Sequence, residues 1–358
     1  MGWGVGGHAC LCFRPSTTKH HFIMSKLIVI IGVTGTQGSS VAKTFLALPG
    51  WKVRGISRNP SSAASQNLSA LGIEIVQGDV DDKDSLIPAF AGAHTIFANT
   101  DYFAPLFAAI GDPDLAAPQD GNAKRYAYDR EVEQGVNIAS VAASPAVLET
   151  LQRFIYSSLA DATALSNGKY TEVYHFDSKA EVLRIIRDKY VEVAERMSML
   201  QMGHFVENLS AFPSMAPVKG DDGTFVMRRP NAKETRWEWV VARRDTGMFV
   251  RALVEDLEAG KTLLGVSEAM TGLEFLAVWG KVLGVETRYE EVSHEEFFAG
   301  LPAAMSEEMG DAFRFMEEFG HCGGDEEVLI PAQLEKKLKL TSVEEWIRSD
   351  DWSSILKV

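Results

Sequence analysis

From Lys26 to Met202 the chain alternates short, β-branched apolar runs with stretches of helical period, and no other feature of the sequence restricts the fold as much. The runs LIVII (27–31), KVRGIS (52–57), IEIVQ (73–77), HTIFA (94–98), RFIYS (153–157) and MSMLQM (197–202) are nearly continuous in apolar character. Strands covered by helices on both faces need that pattern. Amphipathic stretches lie between them at 39–48, 63–71, 84–91, 129–143 and 176–188. Such an order predicts βαβ units in an α/β fold of Rossmann type, a doubly wound parallel sheet whose right-handed crossovers place helices on both faces. The stretch 100–124 contains Pro105, Pro113 and Pro118, shows no helical period and follows the fourth strand. It reads as a long loop at the carboxyl edge, where ligands of open α/β sheets bind, and so as either a lid or a mobile surface insertion.

Past residue 203 the alternation stops. Gly220 to Gly223 makes a turn before the strand-like TFVMR, and helices are expected at 245–258, 272–283, 305–319 and 342–352. The division expected is a Rossmann domain over 25–202 and a smaller α-rich lobe over 203–358, some of whose strands can return to the sheet. Trp237, Trp239, Phe297, Phe313 and Phe315 in that lobe either line a pocket or fill a core. Residues 1–24 carry glycines, no acid and no apolar period, and read as a disordered extension, with a transit peptide as the alternative.

Composition removes several classes of function. With 35 Lys and Arg against 49 Asp and Glu, the net charge of −14 repels nucleic-acid backbones and anionic lipid. No apolar run is long enough for a bilayer. Cys10, Cys12 and Cys322 are too few for a disulfide framework or a zinc site, and His294 and His321 lack ligand spacing, so no metal is expected. The expectation is a cytoplasmic protein, also nuclear if it is a regulator, that acts as a monomer or homodimer.

The glycine pattern GVTGTQG, Gly32 to Gly38, directly follows the first strand and opens the first helix. Glycines there allow a tight turn and bring backbone N–H groups close to a pyrophosphate, whose charge the helix N-terminus favours. A dinucleotide site follows from that context. At the end of the second strand, where an NAD site places an acid for the ribose hydroxyls, stands Arg58, and no Asp or Glu occurs before Glu74. A planar cation suits a 2′-phosphate, so NADP(H) is the expected cofactor. Asp79 and Val80, after the third strand, can flank the adenine or cap the next helix.

The G-x-x-G-x-x-G spacing resembles the short-chain dehydrogenase/reductase superfamily. GVTGTQGSSVAKTFL, SRNP, VQGDVDD, ANTDYF, EVEQGVN, HFDSKAEV and HFVEN, in this order, resemble its NmrA-like family over essentially the whole chain from Lys26 to Trp352. That resemblance implies cofactor contacts from Gly32, Thr34, Gly35, Thr36, Gln37 and Gly38, from Arg58, Asp79, Val80, Thr100, Tyr102 and Lys179, and from the segment holding Phe205, Glu207 and Asn208. The family includes redox sensors that bind NADP(H), a transcriptional regulator that binds dinucleotides, and oxidoreductases of secondary metabolism.

The chemistry turns on His175-Phe-Asp-Ser-Lys179. Ordinary members of the superfamily use Tyr-x-x-x-Lys, whose spacing sets both groups on one helix face. Here histidine holds the tyrosine position. Tyr174 does not substitute, because Lys179 is five residues on, about 140° around the helix. His175 is either a general acid or a helix-start residue. Lys179 is a candidate ribose contact, and Ser157 and Ser158 stand near the superfamily's serine or form a turn. Two readings follow: an NADP(H)-dependent oxidoreductase with a small organic substrate, or a non-catalytic redox sensor that acts through a protein partner. A DNA-binding regulator is disfavoured by the charge.

Overall fold

A computed structural model of the chain describes residues 1–4 and 25–357. From residue 5 on, the expected N-terminal extension, with Cys10 and Cys12, lies outside the described residues.

All six strands read from the sequence form: β1 (Lys26–Ile30), β2 (Trp51–Ser57), β3 (Glu74–Gln77), β4 (Thr95–Ala98), β5 (Arg153–Ser158) and β6 (Met197–Met202). Later in the chain come β7 (His204–Phe205), β8 (Val218–Lys219), β9 (Phe225–Arg229), β10 (Arg236–Val240), β11 (Thr262–Gly265), β12 (Glu268–Thr271) and β13 (Thr287–Glu291). The seven-stranded central sheet runs β11-β6-β5-β4-β1-β2-β3, and every pair in it is parallel. Its seventh strand, β11, thus comes from beyond residue 203. Two three-stranded sheets, β12-β10-β7 and β13-β9-β8, complete the strands.

The period of two within a strand divides the core. Ile28 and Ile30 of β1 pack with Phe45, Phe97, Leu200 and Phe249 on one face. Val29 and its neighbour Ile31 pack with Ile96, Ile138, Phe154 and Val182 on the other. The first face is covered by helices α1 (Thr36–Leu46) and α7 (Ala242–Arg251). On the second face lie α3 (Lys83–Phe90), α5 (Ala123–Ala142) and α6 (Tyr174–Lys189). Between these in sequence come α2 (Ala63–Ala70) and α4 (Phe103–Gly111), and α8 (Gly272–Leu283), α9 (Ala303–Phe319) and α10 (Val343–Ser349) follow.

The structure corrects the sequence reading in two places and decides one alternative that it left open. The stretch 100–124 is not a long loop: it holds α4 and a 3₁₀ turn over Pro113–Gln119. Pro105 is the third residue of α4, where its missing N–H had no intrahelical partner to lose, and Pro113 is the first residue of the 3₁₀ turn. Helix α5 starts at Ala123 rather than 129 because Asn122 caps it, its side chain accepting from the Arg125 amide at 3.0 Å. The aromatics of the second lobe are core. Trp237, Trp239 and Phe313 pack with Phe275, Trp279, Trp346 and Trp352, with Phe297 partly buried against them. Phe315 joins Tyr170 and Phe176 where α9 meets the start of α6.

Candidate functional site

The loop between β1 and α1 sits at the switch point of the sheet, since β1 pairs with β2 on one side and β4 on the other. Gly32 takes φ +66, a left-handed value that glycine adopts without strain. The loop then closes on itself, the Gly35 amide donating to the Gly32 carbonyl at 2.9 Å. A Cβ on Gly38 would stand 2.2 Å from that same carbonyl oxygen, so only glycine lets α1 begin this close to the strand. Thr34 and Gly35 are exposed, and the first turn of α1 holds no acid. Its positive end is open to an anion. Gln37 ties the loop to the neighbouring strand ends: the Ser157 hydroxyl donates to its Oε1 at 2.8 Å, and its Nε2 donates to Asn99 at 3.4 Å. Asn99, directly after β4, was not among the residues singled out from the sequence; its place at a carboxyl strand end was the available signal.

Arg58 follows β2 in an exposed turn, and among the described residues no carboxylate pairs with it. Hydrogen bonds around it fix the turn: the Asn59 amide donates to Ser57 Oγ at 3.2 Å and the Ser61 amide to Asn59 Oδ1 at 3.0 Å. Asp79 and Val80 follow β3. Asp79 Oδ1 accepts from the Asp81 amide at 3.1 Å, and the Val80 carbonyl accepts from Asn137 at 3.0 Å.

Helix α6 brings His175 and Lys179 to one face, each held by a wholly buried glutamate from a distant helix. Lys179 and Ser178 both donate to Glu131 of α5. The Thr100 hydroxyl donates to the same carboxylate at 2.8 Å and lies 3.1 Å from the Tyr156 hydroxyl, whose acidity burial suppresses. Glu308 of α9 accepts from the His175 amide at 2.9 Å and lies 2.5 Å from its Nδ1. Its other oxygen accepts from Tyr102 at 3.1 Å. Burial first, and the charge of Glu308 second, raise the Tyr102 pKa far above the phenol range, so this hydroxyl stays a donor. Thr100 and Tyr102 are therefore committed to carboxylates inside the protein. Glu308 was not singled out from the sequence, and Glu131 entered it only as the first residue of the stretch EVEQGVN, with no role assigned.

The remaining expected positions lie in the chain that leaves β6. The Glu207 carboxylate accepts from the Arg243 amide at 2.7 Å at the start of α7, and burial pushes its pKa up. Phe205 is half-buried against the α1 and α7 side of the core, and Asn208 begins a short helical turn. Ser158 Oγ is buried without a hydrogen-bond partner.

The NmrA-like family model matches residues 24–347. An NmrA-like family domain-containing oxidoreductase, cpsB of Aspergillus campestris, is 26% identical and covers 94% of this chain and 98% of its own. The crystal structure of NmrA, a negative transcriptional regulator in complex with NADP, superposes with a TM-score of 0.68 at 18% identity, over 91% of this chain and 95% of its own. An NADPH-dependent quinone oxidoreductase of Escherichia coli complexed with NADPH reaches 0.63 at 21% identity, covering 89% and 98%. A family match over nearly the whole chain, with the glycine loop at the switch point of a parallel sheet, shows that this chain belongs to the NmrA-like family.

Proposed function

We propose that the protein is an NADP(H)-dependent oxidoreductase acting on a small organic molecule of secondary-metabolite type. The observation that carries this reading is the loop Gly32 to Gly38, closed so tightly on the Gly32 carbonyl that no Cβ fits at Gly38, with an arginine at the end of the next strand that no carboxylate among the described residues pairs. The residues present suit the cofactor. Backbone amides of the loop, with Thr34 and Thr36, would hold the pyrophosphate. Arg58 would take the 2′-phosphate, Asp79 and Val80 would flank the adenine, and Lys179 would meet the ribose beside the nicotinamide.

Bound NADPH supplies a hydride. The chain has to hold the substrate over the nicotinamide and manage one proton, a role we assign to His175, which stands four residues before Lys179 on the same helix face. Support comes also from the relatives, which are described as oxidoreductases, and from solved neighbours that hold NADP or NADPH.

A titration with NADPH and NADH, followed by stopped-flow oxidation of bound NADPH against quinones, enones and imines, tests the reading. NADPH should bind about 10- to 100-fold tighter than NADH, the worth of a charge-assisted phosphate contact, and Arg58→Ala should remove that preference. At least one substrate class should oxidise the bound NADPH, and His175→Ala should slow it by about 10²- to 10⁴-fold. One observation favours a second reading: the superfamily's tyrosine is absent, as a redox sensor without turnover would allow. Tight NADPH binding with no oxidation across the panel would decide for the sensor.

A further inference from the structure

We infer that Glu308 is a positioning residue for His175, fixing the ring so that Nε2 is the atom that exchanges a proton with bound substrate. The inference rests on the oxidoreductase reading above for the hydride that accompanies that proton.

Glu308 sits on α9, 133 residues from His175, and its side chain is fully buried. One of its oxygens receives both the main-chain amide and the Nδ1 side of His175, and the other receives Tyr102. Among the described residues, the only group touching this carboxylate that can carry positive charge is the imidazole. A carboxylate offers only acceptors, so Nδ1 must bear the hydrogen in that contact. Nε2 has no hydrogen-bond partner among the described residues, and the ring keeps 12% of its surface open. Phe103, with its ring centroid at 5.2 Å, and Phe176, at 4.8 Å, wall the imidazole and restrict its rotation. A tautomer held by one carboxylate and a ring held by two aromatic walls leave one nitrogen facing outward.

The proton balance follows. A carbonyl carbon that receives hydride from NADPH leaves its oxygen in need of one proton. His175 gives it from Nε2 as the imidazolium, with hydrogen on both nitrogens. The Nε2–H bond breaks as the O–H bond forms, the ring is left neutral with its hydrogen on Nδ1 toward Glu308, and a proton taken up from solvent restores the imidazolium. NADPH is oxidised and the carbonyl is reduced to an alcohol.

The ring tautomer can be read without any substrate. Full-length protein labelled with ¹⁵N-histidine, with His175→Gln to identify the signal, should show hydrogen on Nδ1 and a bare Nε2 when the ring is neutral. Glu308→Gln should lose that exclusive tautomer, whereas Tyr102→Phe, which removes a donor from the other carboxylate oxygen, should keep it. With a substrate from the panel, Glu308→Gln should lower kcat about a hundredfold or more while KM and NADPH affinity change less than about threefold. Hydrogen on Nε2 in the wild-type protein, or an unchanged kcat in Glu308→Gln, would overturn the inference even if the enzyme turns over. If Glu308→Gln does not fold, the wild-type spectrum alone decides. Wild-type protein that binds NADPH but oxidises nothing overturns the proton-exchange role through failure of the oxidoreductase reading, an outcome separable from the other two.

Discussion

The glycine loop and the α6 face lie side by side at the carboxyl edge of one sheet, yet they are built in opposite ways. The loop is local: its shape comes from main-chain contacts between residues three to six apart, with glycine where a Cβ would strike a carbonyl. The α6 face is made from a distance. Lys179 is held from 48 residues away and His175 from 133, each by a carboxylate without solvent exposure. A local device can be recognised from a short string of residues and tolerates change elsewhere. A distant one exists only when the whole fold is in place, so the two regions should respond differently to mutation and to acid.

The strongest test of that difference removes a distant partner. Glu131→Leu would leave the Lys179 ammonium buried without its counter-charge and strip acceptors from Ser178 and Thr100, and loss of one member of such a pair costs about 3–5 kcal/mol. A urea melt should show the loss, and the double variant Glu131→Leu/Lys179→Met should recover most of it. If the single variant melts like wild type, the α6 face does not depend on distant support.

Acid comes next in size. His204 and His321 lie outside both regions but, like the α6 face, owe their surroundings to distant parts of the chain. His204 packs on Trp237 and Trp239, and His321 bonds the Met202 carbonyl 119 residues away. Burial lowers their pKa values to about 3 and about 4, from an ordinary 6.5. Between pH 6.5 and those values the unfolded chain binds more protons than the folded one. The stability they provide is complete above about pH 6.5 and falls as the pH drops, by about 1.4 kcal/mol per pH unit for each ring. Asp177, Glu207, Glu238 and Asp245, whose pKa values burial raises, act in the opposite sense nearer the carboxylate range, so the histidine slope is cleanest between pH 6.5 and 5.5. Urea midpoints across that window should decline, and His204→Gln should flatten the decline by about half. A flat wild-type profile would show that these rings titrate as exposed ones do.

These same partners explain what the sequence made legible. The central strands, α1 and the glycine loop follow from period and from glycine position, both of which are local. The 100–124 segment misled because three prolines suggest a loop, whereas helix starts accept proline. Glu131 and Glu308 were legible in principle. Each sits in the buried stripe of its helix, Ala127-Glu131-Gln134-Ile138 in α5 and Met305-Glu308-Ala312-Phe315 in α9, where an acid is out of place unless something buried meets it. The stripe marks such a residue as paired, but it cannot name the partner, because that depends on which helices the sheet brings together.

Gly38→Ala probes the local device. Its added carbon would lie 2.2 Å from the Gly32 carbonyl and 2.8 Å from the Val33 Cα, both main-chain atoms that cannot rotate away. Overpacking of that kind costs about 1–3 kcal/mol. The signature of locality would be loss of NADPH affinity larger than the loss of stability implies, with the His175 ring spectrum unchanged. A variant that disturbs that spectrum would show that loop and α6 face are coupled.

The smallest effect should come from Ser157→Ala, at the seam between the two regions. If Ser157 worked on substrate, as the superfamily's serine does, its loss would lower kcat steeply. Its hydroxyl instead donates to Gln37 at 2.8 Å, which holds the first turn of α1 against β5. Loss of one such hydrogen bond costs about 0.5–1.5 kcal/mol, or about a threefold to tenfold change in NADPH affinity if all of it falls on the bound loop. Titration and steady-state rates on the same variant separate the cases. A weakened Kd with kcat within threefold of wild type assigns Ser157 to the loop, and a kcat lowered a hundredfold at unchanged Kd moves it to the α6 side of the seam.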